Sequence, residues 1–387
     1  MRSLRLLLVT QSYSPVCGGI GEHVRSLGLA LRARGHAVSV LTAGPRPVDG
    51  ELPGLHVLRI GRRFRVRSNG ARANLAFHPI YREAVRRVLD RGSFDLVHVH
   101  SPLEPFLPWA VLLEAKMPCV GTFHNAGPAH WGYRFFARGL AGFASRLRLR
   151  TAVSRSAALF AGRYFPGEFL VIPNGVDLER FSPDGPRPPG RAAPTILFVG
   201  SLEPRKGLDV LLDAIPLVRR KLGADPEVMI VGEGSLRGSI LRRARRDRGD
   251  IRLLGRVPHD EIARCYRGAD LLVAPALYGE SFGIVLLEAL ASGLPVIASG
   301  IEGYAEVLAG CPSARLVEPN HAEGLAAGIV DLWRTYSELD HRVHARRHAA
   351  KYDWAGVAGA TEAAYFEALG GSSAEDVPRT RVPRALP

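Results

Sequence analysis

A chain of 387 residues, 47% hydrophobic and 23% charged, is long and apolar enough for two domains of about 150–200 residues with cores of their own, which excludes a disordered or fibrous protein. The formal net charge is +14 and 47 of the 51 basic residues are arginine; the richest apolar stretches, 4–10 and 106–113, are strand- or core-helix-sized, whereas a membrane span needs about 20 residues. Cys17, Cys119, Cys265 and Cys311 are far apart and form no CxxC pair, so neither a zinc site nor a disulfide framework is expected and a reducing cytoplasm fits.

Residues 1–5 followed by 6–9 imitate a short signal peptide, but the apolar run stops at Thr10 without a small-residue cleavage site, so this segment reads as a first buried strand. Further strands read at 37–41, 56–60, 96–100, 119–122, 151–153 and 170–172, separated by amphipathic stretches; this is the pattern of βαβ units in a helix-covered parallel sheet. The turn Ile172-Pro-Asn-Gly-Val-Asp177 is expected near a hinge. Residues 182–194 are too dense in proline and glycine to continue a helix or a central strand and read as a linker. A second series follows at 195–199, 228–231, 251–254, 271–274, 295–298 and 315–317. The expected fold class is therefore α/β, with two Rossmann-like doubly wound domains, 1–181 and 195–354, joined by the linker 182–194. Ligands of such sheets bind beyond the carboxyl ends of the strands, so the strand exits of both halves are expected to face one cleft. A last helix, about 355–369, is expected to pack back on the first domain, and 370–387 reads as a disordered tail.

The strongest chemical signal is Gly279-Glu-Ser-Phe-Gly-Ile-Val-Leu-Leu-Glu-Ala289, a glycine loop that follows a strand and opens a helix. Free amides at Gly283, Ile284 and Val285, aided by the helix dipole, would hold a diphosphate without metal. Glu280 and Glu288 flank that position and can accept hydroxyl hydrogen bonds; read in isolation they would be a helix cap and a solvated carboxylate. In Gly200-Ser-Leu-Glu-Pro-Arg-Lys-Gly207, after the first strand of the second half, Arg205 and Lys206 would neutralise a leaving diphosphate, the alternative being an exposed basic turn. Gly232-Glu-Gly234 and the segment Leu254–Val257 would border the nucleotide or serve as plain turns. In the first half, Gly18-Gly19-Ile-Gly21 lets a backbone approach a ligand without forming a GxGxxG fingerprint. His124 ends a strand; His98-x-His100 with His124 could suggest a metal, but no carboxylate or cysteine nearby completes a set. Asp-x-Asp, which would carry a metal-bound diphosphate, is absent from the sequence.

These motifs resemble the E-x7-E signature and glycine loops of the retaining, metal-independent glycosyltransferases of family 4, over nearly the whole chain from Gly18-Gly19 to Tyr352-Asp-Trp354. The likeness is to the phosphatidylinositol mannosyltransferases in particular. The resemblance implies the GT-B fold and a catalytic set of His124, Glu280, Arg205 and Lys206. It implies donor contacts from Gly19, Gly200, Ser201, Gly232, Val257, Phe282, Gly283, Ile284 and Val285, with Glu280 on the sugar and Glu288 on the ribose. Ser201 stands where the family usually has arginine, Gly21 replaces a polar acceptor contact, and Ser101-Pro-Leu-Glu104 departs from the pattern.

The implied partners are a nucleotide diphosphate-sugar, GDP-mannose favoured, and a lipid or glycan acceptor, with no metal or other cofactor and no nucleic acid. Arg59, Arg62, Arg63, Arg65, Arg67 and Arg72, with Arg82, Arg86, Arg87 and Arg91, would suit an anionic membrane surface or form an ordinary solvated basic face. A cytoplasmic enzyme at the inner face of the membrane is the corresponding localisation. The alternatives are a UDP-sugar transferase for polysaccharide or lipopolysaccharide, a phosphorylase or epimerase on the same scaffold, and a non-catalytic nucleotide-sugar or nucleic-acid binder.

Overall fold

The computed structural model describes residues 2–13, 18–44, 53–68, 71–77, 81–102, 104–127, 141–185, 194–246, 250–258, 261–335, 338–371 and 374–383. Cys17 and most of the segment 182–194 lie outside them. The chain forms two units, one of Met1–Gly175 with Trp354–Pro387 and the other of Val176–Asp353.

In chain order the first unit contains β1 (Arg5–Thr10), α1 (Gly19–Ala33), β2 (Ala37–Ala43), β3 (His56–Ile60), β4 (Arg62–Ser68), β5 (Ala71–Phe77), α2 (Tyr81–Gly92), β6 (Leu96–His100), α3 (Leu107–Glu114), β7 (Cys119–Phe123), β8 (Leu147–Ala152), α4 (Arg155–Gly162) and β9 (Gly167–Val171). The second has β10 (Thr195–Val199), the 3-10 turn Pro204–Lys206, α5 (Leu208–Leu222), β11 (Glu227–Val231), α6 (Arg237–Arg246), β12 (Asp250–Gly255), α7 (Ile262–Arg267), β13 (Leu271–Ala274), α8 (Ile284–Ala291), β14 (Val296–Ser299), α9 (Glu302–Leu308), β15 (Ala314–Val317), α10 (Ala322–Arg334) and α11 (Glu338–Ala349). The chain returns to the first unit with α12 (Trp354–Ala368) and β16 (Arg379–Val382).

The first sheet runs β16-β9-β8-β7-β6-β1-β2-β3, parallel except for β16, and the second β12-β11-β10-β13-β14-β15, parallel throughout. Central strands such as Leu6-Leu-Leu-Val9 are buried on both faces, which is why they read as unbroken apolar runs. Val24, Leu27 and Leu31 make an i, i+3, i+7 stripe on α1 that packs with Leu6, Leu8, Leu96 and, from α12, Ala358 and Tyr365. The second unit has its own core, including Leu208, Leu211, Ile215, Ile230 and Ile329.

Three expectations need correction. The division falls at Gly175/Val176, inside the Ile172–Asp177 turn, and not in 182–194: proline density marks an irregular segment, not the place where contacts are fewest. The two crossing points are adjacent, for Val176 N–H donates to the Tyr352 carbonyl at 2.8 Å, and Gly175 leaves the room that the Trp354 indole occupies. The expected disordered tail contains β16, paired antiparallel with β9 and tied by Arg379 to Glu168 and, at 2.7 Å, to Glu367. Finally, the arginine-rich stretch read only as a surface contains an antiparallel hairpin, β4 with β5.

Candidate functional site

In the second unit the strand exits of β10, β11, β12 and β13 lie along one edge of one sheet. Their turns are stitched together: Gly200 N–H donates to Val231 O at 3.0 Å, Gly232 N–H to Gly255 O at 2.8 Å, and Leu202 N–H to Glu233 O at 2.9 Å. The 3-10 turn ends on Gly207 in the left-handed region, φ 67°, where a Cβ would collide with the Pro275 carbonyl. Leu277 N–H donates to Arg205 O at 2.8 Å, fastening this turn to the loop that precedes α8.

That fastening brings the predicted charged residues together. One Glu280 carboxylate oxygen takes both Lys206 Nζ, at 2.8 Å, and the Arg205 guanidinium; Arg205 Nε also lies 3.5 Å from Glu203. The three side chains of Arg205, Lys206 and Glu280 are only 13–16% exposed. Burial would raise the Glu280 pKa, but the nearby Lys206 and Arg205 charges and hydrogen bonds outweigh it and hold the carboxyl below its ordinary value. In this structure, then, Glu280 neutralises the cations instead of standing free for a sugar, and a diphosphate would exchange with it.

Gly283, φ 91°, begins α8, and an added Cβ would strike the Tyr304 ring. The first amides of α8 belong to Ile284 and Val285, both half-buried, and lack intrahelical partners by helix geometry. Glu288 lies one turn further on and accepts a 2.5 Å hydrogen bond from the buried Tyr266 hydroxyl. Burial, then the charge of Glu288, pushes that phenol well above its ordinary pKa. Ser201 Oγ donates to Glu203 at 3.3 Å. Gly200, Gly232 and Val257 occupy strand exits as expected, whereas the Phe282 ring is buried edge-on against Tyr352 with centroids 5.9 Å apart, leaving only its backbone for a ligand.

In the first unit Gly18 precedes α1 and Gly19 is its first residue, with Glu22 N–H donating to Gly18 O at 3.1 Å. His124, at the exit of β7, is buried and its Nε2 lies 3.0 Å from His100 Nδ1. His23 of α1 packs edge-on against both rings, with centroids at 5.2 Å to His100 and 5.0 Å to His124. His98 is directed elsewhere, to the Tyr365 hydroxyl at 2.7 Å and Thr122 at 2.6 Å. Burial lowers the pKa of every one of these imidazoles: to about 4 for His23, about 3 for His98, and well below 6.5 for His100 and His124. Among the described residues, His23, His100 and His124 have the spacing of metal ligands; the sequence had suggested His98 in place of His23. Glu104, which follows β6, borders His124.

The basic helix is partly neutralised. Arg82 and Arg86 share Glu114 at 2.6 and 2.9 Å, and Arg87 lies 3.7 Å from Glu83. Side chains on the hairpin, including Arg62, Arg63, Arg65, Arg67 and Arg72, lie outside the described residues. Among the described residues, then, Arg82, Arg86 and Arg87 each have a carboxylate partner.

Sequence reasoning missed His23, Tyr266 and Glu104 as parts of these groups. Period-2 alternation does place His98 and His100 on one face of β6, but no spacing announces a partner from another element.

Two parallel-sheet α/β units with glycine-rich turns at their strand exits give the GT-B fold. The same fold is found in sucrose-phosphate synthase from Thermosynechococcus elongatus (TM-score 0.75, 21% identity, covering 95% of this chain and 99% of that one). The chain belongs to glycosyltransferase family 4: residues 17–180 match the family described as Glycosyltransferase Family 4, and 193–335 that described as Glycosyl transferases group 1. It is 35% identical over 358 residues to a phosphatidyl-myo-inositol mannosyltransferase of Mycolicibacterium smegmatis, covering 92% of this chain and 91% of the relative. A glycogen synthase of Mycobacterium tuberculosis is 30% identical over 418 aligned positions, covering 99% and 100%.

Proposed function

We propose that this glycosyltransferase moves mannose from GDP-mannose to a phosphatidylinositol-type lipid, with retention of anomeric configuration and without a catalytic metal. The observation that carries the metal-free reading is the pairing of Arg205 and Lys206 on Glu280 beside the start of α8. Two fixed cations and helix amides supply the positive charge that a divalent ion would otherwise bring to a departing diphosphate. In this reading the donor phosphates displace Glu280 from the cations, which frees its carboxylate for the sugar hydroxyls, while Glu288 binds the ribose; His124 is the catalytic candidate of the first unit. An acceptor hydroxyl attacks from the face the diphosphate leaves.

The likeness to a phosphatidyl-myo-inositol mannosyltransferase supports mannose as the sugar and the lipid as the acceptor. No helix among the described residues is long and apolar enough to cross a membrane. In this reading the lipid is met at the inner membrane surface, with exposed Arg91 and Arg87 of α2 as candidate contacts. The likeness to a glycogen synthase favours a second reading, glucosyl transfer to a glucan.

The deciding assay incubates the protein in EDTA with radiolabelled GDP-mannose and phosphatidylinositol vesicles, and in parallel with UDP- or ADP-glucose and glycogen. EDTA-resistant label in lipid, with retained configuration by NMR, is the expected result. Label only in glycogen selects the second reading, and chelator-sensitive transfer overturns the metal-free mechanism.

A further inference from the structure

A small cavity of about 30 Å³ opens in the first unit beside His124. Its walls are aromatic, from Phe123, Phe160 and Tyr164, and its polar groups come from Glu104, His124 and Asn125. A volume of this size takes a water or a single hydroxyl-bearing group. Apolar walls with a few convergent polar groups are also how proteins hold a polyol, whose C–H face packs on rings while its hydroxyls find acceptors.

Glu104 is the unusual member of this set. Its Oε2 accepts a 3.1 Å hydrogen bond from the buried Gln11 amide, and its own N–H donates to Ser101 O at 3.0 Å. Ser101 itself sits at φ 52°, a strained conformation for serine. Among the described residues no cation faces the carboxyl: burial pushes its pKa up to about 7, opposed only by neutral hydrogen-bond donors. Gln11 and Ser101 are its side-chain donors, and since a carboxylate has about four lone-pair positions, acceptor positions remain for a ligand. Among the described residues the carboxyl has no ion-pair partner, the usual reason for withdrawing an acid from water.

We infer that Glu104 is a specificity-determining residue for the acceptor: it receives the hydrogen of a hydroxyl on a neutral polyol that enters the aromatic-walled cavity beside His124. This rests on the transferase reading and adds to it the group that selects the acceptor. The inference explains why an acid without a counter-cation is kept next to imidazoles that burial holds neutral.

The test measures binding of three soluble neutral polyol probes, myo-inositol, methyl α-mannopyranoside and maltose, by saturation-transfer NMR titration of the full chain in the presence of GDP. At least one probe is expected to bind, and Glu104→Ala to weaken it about ten- to hundredfold, the loss of a hydrogen bond to a charged group. Because the ionised carboxyl is the better acceptor, wild-type affinity should fall several-fold as the pH drops from 8 to 6. Among the described residues, the titratable groups that line the cavity with Glu104 are His124, from the exit of β7 and held neutral by burial, and Tyr164, which follows α4; the pH response should therefore vanish in Glu104→Gln. The wild-type pH profile keeps the inference testable if either variant fails to fold. Binding of no probe, variants that bind as wild type, or a flat wild-type profile would overturn it. Thermal stabilisation of the wild type by GDP or UDP separates the two levels: if neither nucleotide stabilises it, the transferase reading fails, and if nucleotide binds but polyol binding ignores Glu104, only this inference fails.

Discussion

His23, His98, His100 and His124 are close enough that each would repel the others if protonated, and burial strips away the water that would stabilise their charge. An unfolded chain takes up protons at these positions as the pH falls below 6.5, while the folded chain resists until about 4 for His23 and about 3 for His98. The unfolded state then binds more protons, so stability falls with the pH from about 6.5 downward and levels off only below the folded pKa values. Urea unfolding at pH 7, 6 and 5 should show this loss, and His98→Gln should make the slope shallower by up to about 1.4 kcal/mol per pH unit. An unchanged slope would mean that His98 is not buried neutral. At this scale local spacing placed Arg205, Lys206, Glu280 and Gly283 at strand exits and a glycine turn, while the roles expected of them came from the family resemblance and not from spacing. It could not disclose Tyr266 on Glu288 or His23 beside His124, which are joined only when distant elements pack.

Among the elements, α12 is bound to the first unit by a buried polar triad as well as by its apolar face. His36 Nδ1 accepts from Leu4 N–H at 3.2 Å, which leaves Nε2–H to donate to Glu362 Oε1 at 2.9 Å, while Arg34 Nε reaches Glu362 Oε2 at 3.0 Å. Glu362 is 4% exposed and Arg34 31%. Glu362→Ala should therefore destabilise the protein by about 3 kcal/mol, the cost of leaving a largely desolvated partner unpaired. Arg34→Ala should cost about 1 kcal/mol, since solvent already reaches the guanidinium. Equal effects in chemical denaturation would show that the triad is not organised by burial. The parallel strands were legible because strands covered on both faces are continuously apolar. The hairpin β4–β5 was hidden by arginines that mask strand periodicity, and β16 is a short charged edge strand whose support, from β9 and from Arg379 on Glu168 and Glu367, comes from residues distant in the chain.

For the whole molecule, the chain's path makes the units unequal. Val176–Asp353 is continuous and encloses its own core, whereas Met1–Gly175 needs α12 to cover Leu6, Leu31 and Leu96. A fragment spanning Val176–Asp353 is expected to fold cooperatively and bind nucleotide; Met1–Gly175 alone, lacking the Tyr365 and Ala368 contacts, should aggregate. Circular dichroism and thermal melts of the two fragments check this, and a stable Met1–Gly175 would contradict the role given to α12. The two-domain α/β organisation was legible from alternating patterns, and the expected packing of a last helix, about 355–369, on the first domain agrees with α12 (Trp354–Ala368) in the first unit; what local patterning did not give was the pairing of β16 with β9.

The central claim is that the second unit holds a donor diphosphate on Arg205, Lys206 and the opening amides of α8 without an ion. Calorimetric titration of GDP into the wild type and Lys206→Ala, each with and without EDTA, tests it most directly. The account predicts the same wild-type affinity in both buffers and binding about 10–100-fold weaker in the variant, the worth of a charge-assisted contact. Loss of wild-type binding in EDTA, or a variant that binds as tightly as wild type, would contradict it.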